Sequence, residues 1–220
     1  MPIKHIKGKD LYETSLANAF EFYSKNSAKV SMVTNAGMFK PNHNPEGILV
    51  MDSIKYAPLD TLDVIANITP NFYLKPNGVF YEASDSYFIA ETGEFKKSYL
   101  TGIIKPRIAT QSGPMLVHNG MHHPKFNHNS KSRKLRSGIG IMPNGNVVFL
   151  ISKEHNTNFF QFATLFKDIF GCQEALFLDG VISKMSFEEL IPGAEIGGFG
   201  PILVVHDIPS DNKKKQNEKD

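Results

Sequence analysis

Asp179 is the residue with the clearest chemical potential. It closes the apolar run Ala175-Leu176-Phe177-Leu178, is followed by Gly180, and has the hydroxyl of Ser183 three residues beyond that glycine. The run reads as a buried strand. Asp-Gly then ends it as a turn, where glycine allows positive φ and aspartate can bond the backbone that follows. An ionised carboxylate at the mouth of a buried strand costs free energy unless it is paired or used. Arg136 is the second such residue. It stands before Ser137-Gly138-Ile139-Gly140, a small-residue strand that would let backbone and guanidinium both approach a ligand. Arginine grips phosphate through two parallel hydrogen bonds; the alternative for Arg136 is a surface ion pair. Further polar groups fall at strand ends or in the turns after them: Asn35, Asn71, Gln111, Ser112 and Ser183. Singly, Asn35 and Asn71 also read as turn formers bonded to local backbone. Together they lie where sites are usually built on a rigid sheet.

Two other residue sets invite chemistry. His118 and His122 flank Asn119-Gly120, with His123 and His128 nearby. Across a hairpin the first two could face each other, yet no cysteine adjoins them and their spacing is not that of a metal motif. No metal site is assigned. The single Cys172 cannot form an internal disulfide, and its apolar neighbours make it a small core residue.

The elements that must position these groups can be read in order. Leu16, Ala19, Phe20 and Tyr23 recur at helical spacing, predicting a helix over Ser15–Lys25 capped by Ser15 or Thr14. Lys29–Thr34 alternates as a half-buried strand, and Lys40–Gly47 is dense in turn formers. Three segments read as strand, Asn-Gly, strand: Asn71–Ala83, Met115–His122 and Gly138–Ile151. Phe159, Phe162, Ala163, Phe166, Ile169 and Phe170 predict a helix begun by Thr157 or Asn158 and ended by Gly171. Ser186–Leu190 reads as a helical turn stopped by Pro192, and Pro201–His206 as a last buried strand. The loop Lys125–Lys134 is basic and polar and reads either as a mobile flap that helps attract an anion or as a simply solvated run.

The fold class expected is α+β: a single domain built on a largely antiparallel or mixed sheet of hairpins with a few flanking helices. Residues 1–14 form a polar N-terminal segment, 15–208 the domain, and 209–220 a charged tail without large apolar residues, expected to be disordered. The 220 residues suffice for a core that folds alone, and 41% hydrophobic with 21% charged content is ordinary for a globular protein. A net charge of +2 gives no ground for a nucleic-acid partner. No apolar run reaches the roughly 20 residues of a transmembrane segment. Met1–His5 shows no apolar stretch of a signal peptide.

Five motifs occur in order: Asn35-Ala36-Gly37-Met38-Phe39, Asn71-Phe72, Gln111-Ser112-Gly113-Pro114, Arg136 through Gly140, and Leu178-Asp179-Gly180-Val181-Ile182-Ser183. The set resembles the phosphodiester glycosidase domain, the catalytic unit of the lysosomal uncovering enzyme, and most resembles its bacterial exported members. The matched region runs from about Ser15 to Val205. The family's Asn-Gly-Gly-Phe-Phe, Arg-x-Ala-Ile-Gly and Leu-Asp-Gly-Gly-Gly-Ser motifs fall on Asn35 to Phe39, Arg136 to Gly140 and Leu178 to Ser183. Val181 and Ile182 stand where the uncovering enzyme has glycines, and β-branched residues resist positive φ.

The resemblance implies a hydrolase acting on a sugar-1-phosphodiester in an envelope glycan or related glycoconjugate. It assigns Asp179 and Arg136 to catalysis, and Asn35, Asn71, Gln111, Ser112, Ser183 and Phe39 to substrate binding. It implies no organic cofactor and leaves a divalent cation open. It also implies a periplasmic or secreted location, and gives no oligomeric state. The leaving group of a glycosyl phosphodiester is already a stable anion, so one carboxylate and one cation replace the two carboxylates of ordinary glycosidases. Glu154 is the outside candidate for a second carboxylate. The rival reading is a non-catalytic module that binds envelope glycans or a partner protein.

Overall fold

The computed structural model describes residues 3–6, 15–25, 29–64, 68–187 and 198–207. In chain order the elements are β1 (Ile3–Ile6), α1 (Leu16–Lys25), β2 (Val30–Asn35), β3 (Leu49–Met51) and β4 (Ile54–Ala57). Then come β5 (Gly78–Ala83), β6 (Ser86–Glu91), α2 (Thr92–Leu100), β7 (Ile108–Ser112), β8 (Met115–His118) and β9 (Met121–His122). The last are β10 (Ser137–Ile141), β11 (Val147–Ile151), α3 (Phe159–Thr164), β12 (Glu174–Asp179), β13 (Met185–Phe187) and β14 (Ile202–His206). They form three antiparallel sheets, ordered β1-β14-β2-β13, β11-β10-β12-β8-β9 and β4-β3-β7-β5-β6. The fold is α+β, with one helix against each sheet.

The sheets meet on a shared core. Leu203 comes from the first sheet, with Ala36 just past the end of β2; Met115, Ile139 and Leu176 come from the second, and Phe80 from the third. Helix α1 buries Leu16 and Ala19 on the first sheet, and Phe95 of α2 sits on the third. Ser15 begins α1 as expected, its Oγ accepting from the Asn18 N–H at 3.1 Å. Helix α3 opens on Asn158, whose side chain accepts from the Gln161 N–H while Gln161 bonds back, a reciprocal cap. Its last turn is a π-helix over Leu165–Ile169, and Gly171 ends it with φ +67.

Two of the three expected hairpins form. Asn119 and Gly120 both take positive φ between β8 and β9, as a two-residue hairpin turn requires. Gly145, with φ +82, turns β10 into β11. The first does not form. Asn71–Tyr73 is a 3-10 turn, with Tyr73 N–H donating to Pro70 O at 3.0 Å. The Asn77 side chain donates to Phe72 O at 2.7 Å and folds this stretch back on itself. Strand β5 pairs instead with β6 around Ser84 and Asp85, both at positive φ. Gly78 serves close approach rather than a turn: a Cβ there would lie 2.8 Å from Ala90 O.

The stretch read as a helical turn at Ser186 begins as strand β13, paired to β2; Glu188–Leu190 and Pro192 lie outside the described residues. Within the segment read as polar and N-terminal, β1 pairs with β14. The tail 209–220 lies outside the described residues.

Candidate active site

Strand β12 is buried along Ala175–Leu178 and delivers Asp179 to its C-terminal end, beside Ser137 at the start of β10. Asp179 opens onto a cleft of about 430 Å³. Its walls include Asn71, Lys134, Arg136, Phe159, Phe177 and Asp179. Three residues singled out in the sequence, Asn71, Arg136 and Asp179, are therefore brought together although they lie more than one hundred positions apart at the extremes.

Arg136 is 2% exposed. Its Nε donates to Thr157 O at 2.8 Å and its Nη2 to Ser132 O at 3.0 Å. Its guanidinium carbon lies 3.7 Å from the centre of the Phe159 ring and 5.7 Å from that of Phe177. Two carbonyls and two ring faces orient the cation, and neither bond uses Nη1. Its main chain is held as well: Arg136 N–H donates to Ser152 Oγ at 2.9 Å. Burial pushes its pKa down to about 10. Among the described residues no carboxylate pairs with it, so the charge is held by dipoles and rings alone. A buried cation of this kind lowers its free energy by meeting an anion.

Asp179 bonds the following backbone, its Oδ1 accepting from Gly180 N–H at 2.6 Å. Burial raises its pKa above the ordinary aspartate value, and that single N–H bond pulls the other way. The next turn is closed by Ser183 N–H donating to Gly180 O at 2.8 Å, with Val181 and Ile182 at the corner. Neither corner residue has positive φ. The backbone here makes no demand for glycine, and β-branched residues fit it without strain.

Asn35 and Ser183 lie behind this turn. Asn35 Oδ1 accepts from Lys184 N–H at 3.1 Å, and its Nδ2 donates to Ser137 Oγ at 3.2 Å. Ser137 and Ser183 share a 2.8 Å hydroxyl bond, and Ser137 Oγ lies 3.5 Å from Asp179 O. All three side chains are buried. The network holds the loop that carries Asp179. Ser137 was legible in the sequence only as a small residue beside Arg136. Ser132 and Lys134, the end of the loop read as attracting an anion, also line the cleft, as do Phe159 and Phe177, which the sequence marked only as apolar residues of a helix and a strand.

The remaining expected site residues lie elsewhere. Gln111 Oε1 accepts from the N–H groups of Ile48 and Asp60, and its Nε2 donates to Asp60 O and Thr92 Oγ1. Ser112 Oγ donates to Leu178 O at 3.0 Å, tying β7 to β12. Phe39 stacks on His43 and packs against the α1 core. None of the three lines the cleft, and neither does Glu154. The room expected beside Gly138 and Gly140 is taken by the helix side: a Cβ on Gly140 would lie 2.7 Å from Phe166 and 2.9 Å from Cys172 Sγ. The glycines let α3 pack on the sheet. The Lys125–Lys134 loop is tethered, with Asn158 Nδ2 donating to His128 O and Ser130 O and Arg133 Nη1 to Asn156 O.

The histidines do not converge. His118 pairs with Glu174 at 3.0 Å, His122 bonds Thr164 Oγ1, and His123 Nε2 donates to Lys75 O. Among the described residues no group of three or more His, Cys, Asp or Glu side chains could hold a metal ion. Cys172 is buried, and its thiol is pushed up to about 11. No helix among the described residues is long and apolar enough to cross a membrane.

The family model described as phosphodiester glycosidase matches residues 28–192. The Escherichia coli (strain K12) protein YigE, itself uncharacterised, is 36% identical over 157 residues. That match covers 71% of this chain and 58% of YigE, so the chain spans less than two thirds of that relative. The catalytic domain of zebrafish N-acetylglucosamine-1-phosphodiester alpha-N-acetylglucosaminidase, auto-inhibited by its pro-peptide, superposes with a TM-score of 0.63. It is 12% identical, over 94% of this chain and 73% of that one. A Burkholderia pseudomallei protein described as exported gives a TM-score of 0.50 at 12% identity, over 92% of this chain and 70% of its own. At such identities the likeness is one of fold.

Proposed function

Because the chain belongs to the phosphodiester glycosidase family, we propose that it hydrolyses the glycosidic bond of a sugar-1-phosphodiester in an envelope glycan or related glycoconjugate. The observation that carries this reading is a buried arginine with no carboxylate partner among the described residues, lining the same cleft as a half-buried aspartate. Cleavage breaks the bond between the anomeric carbon and the phosphate oxygen. The electron pair leaves with the phosphate monoester, and the oxygen of water ends on the sugar. The departing oxygen is already stabilised by its phosphorus, so protonation by a second carboxylic acid contributes little. A fixed cation where negative charge gathers contributes more. Arg136 Nη1, with Lys134 beside it, meets the phosphate. Asp179 faces the anomeric carbon, as nucleophile or as base toward water. Asn71 reaches the substrate's hydroxyls or phosphate oxygens. Asn35 and Ser183 act through the loop they hold.

The test is turnover of an N-acetylglucosamine-1-phosphate alkyl diester by the native chain and by Asp179→Asn and Arg136→Ala. Loss of at least about a hundredfold is expected for each. Near-normal turnover in both folded variants would overturn the assignment. Hydrolysis in oxygen-18 water should place the label on the sugar; label on phosphate would mean a phosphodiesterase. A module that only binds glycan would retain the diester and release neither product.

A further inference from the structure

The proposed reaction leaves two cleft residues unused. Val181 and Ile182 form the corner of the Gly180–Ser183 turn and line the cleft mouth. They are 58% and 46% exposed, and neither belongs to a core cluster. The turn does not require them, since its backbone suits most residue types at both positions. Two adjacent large apolar side chains left in water at the mouth of a site act as a contact surface for an apolar group. The cleft is also divided by chemistry. Lys134 and Arg136 supply positive charge, while Val181 and Ile182 supply the exposed aliphatic part of the lining.

We propose that Val181 and Ile182 are specificity-determining residues that receive an aliphatic chain carried on the substrate's phosphate. This rests on the reading of the cleft as a phosphodiester site. A sugar ring is hydroxyl-rich and gains little against two aliphatic side chains. The alcohol on the other ester bond of the phosphate is free to be apolar, and the phosphate joins it to the cationic wall. The substrate class is therefore a sugar joined through phosphate to an aliphatic alcohol.

The experiment separates binding from cleavage. Dimethyl phosphate and methyl hexyl phosphate are titrated into the native chain, with the Val and Ile methyl resonances as readout. The hexyl ester should bind roughly tenfold more tightly, about the equivalent of two buried methylenes, and shift the Val181 and Ile182 methyls. The double variant Val181→Thr/Ile182→Thr keeps the β-branches and the turn and removes the apolar surface; it should bind the two esters equally. Equal binding by the native chain, or a preference that survives the double substitution, overturns the proposal. Turnover of the methyl and hexyl diesters of N-acetylglucosamine-1-phosphate is read separately. Chain-length preference in binding without any turnover sinks the glycosidase reading and leaves the apolar lip standing. Turnover without chain-length preference sinks the lip alone.

Discussion

Burial disfavours the charged form of both Asp179 and Arg136, and so moves their pKa values in opposite directions. In the proposed reaction Asp179 acts ionised, and its pKa is raised by burial. Activity should therefore fall with acidification at a pH above the ordinary aspartate range. The same proposal needs Arg136 charged, and its pKa is brought down to about 10. Activity should fall again as pH rises through that value, so a pH profile of kcat/KM should be bell-shaped with an alkaline limb near 10. Stability follows the same logic with its own sign. A carboxyl group whose folded pKa lies above its unfolded one stabilises the fold less as it ionises. Asp179→Asn keeps an oxygen to accept the Gly180 N–H and removes the buried charge. Its thermal midpoint at neutral pH should equal or exceed that of the native chain, and the gap should close below the unfolded carboxyl pKa. A clear loss of stability at neutral pH would mean that Asp179 has an ionic partner in the fold. Arg136→Lys should not substitute functionally, because an ammonium cannot bond two carbonyls in one plane and still present a free N–H pair.

Asn158 acts on the scale of an element. It caps α3 and, through the same side chain, holds the carbonyls of His128 and Ser130 in the loop that leads to Arg136. Asn158→Ala should cost about 1–2 kcal/mol of stability, the usual worth of a lost cap. It should also speed amide exchange at Ser132 and Lys134; unchanged exchange there would show that the loop is held by other means. At this scale the sequence was readable where local chemistry decides the outcome. Helix α1, helix α3 and the β8–β9 hairpin follow from spacing and capping alone. Asn77-Gly78 misled because the same dipeptide that builds a tight turn here serves a strand crowded by Ala90 O, a contact made across the sheet. Gly138 and Gly140 misled in the same way, since their room is claimed by a helix twenty residues on. Gln111 could not be ranked as structural either: its four partners, Ile48, Asp60 twice and Thr92, come from segments that only the fold brings together. Asp179, in contrast, was legible because an apolar strand ending in a carboxylate is a local anomaly.

For the whole molecule, His123 sets an acid limit. It is 2% exposed, donates from Nε2 to Lys75 O and accepts the Lys125 N–H at Nδ1. Burial lowers its pKa to about 4. The unfolded chain takes up a proton near 6.5 that the folded one refuses, so stability should decline as pH falls from about 6.5 to about 4. Urea midpoints across that window should show the decline in the native chain and a flatter profile in His123→Gln. The network under the candidate site has a different reach. The bond from Lys184 N–H to Asn35 Oδ1 joins residues 149 positions apart, and Ser137 ties the middle of the chain to Asn35 and Ser183. No stretch of consecutive residues contains the candidate site. Closing so long a loop is entropically slow, and its contacts are rewarded only once both ends are in place. During refolding, helical and hairpin signals should return first, and affinity for a phosphodiester last. A chain interrupted between Asn71 and Lys134 would divide the residues that line the cleft, and its two pieces would have to find each other before it could bind.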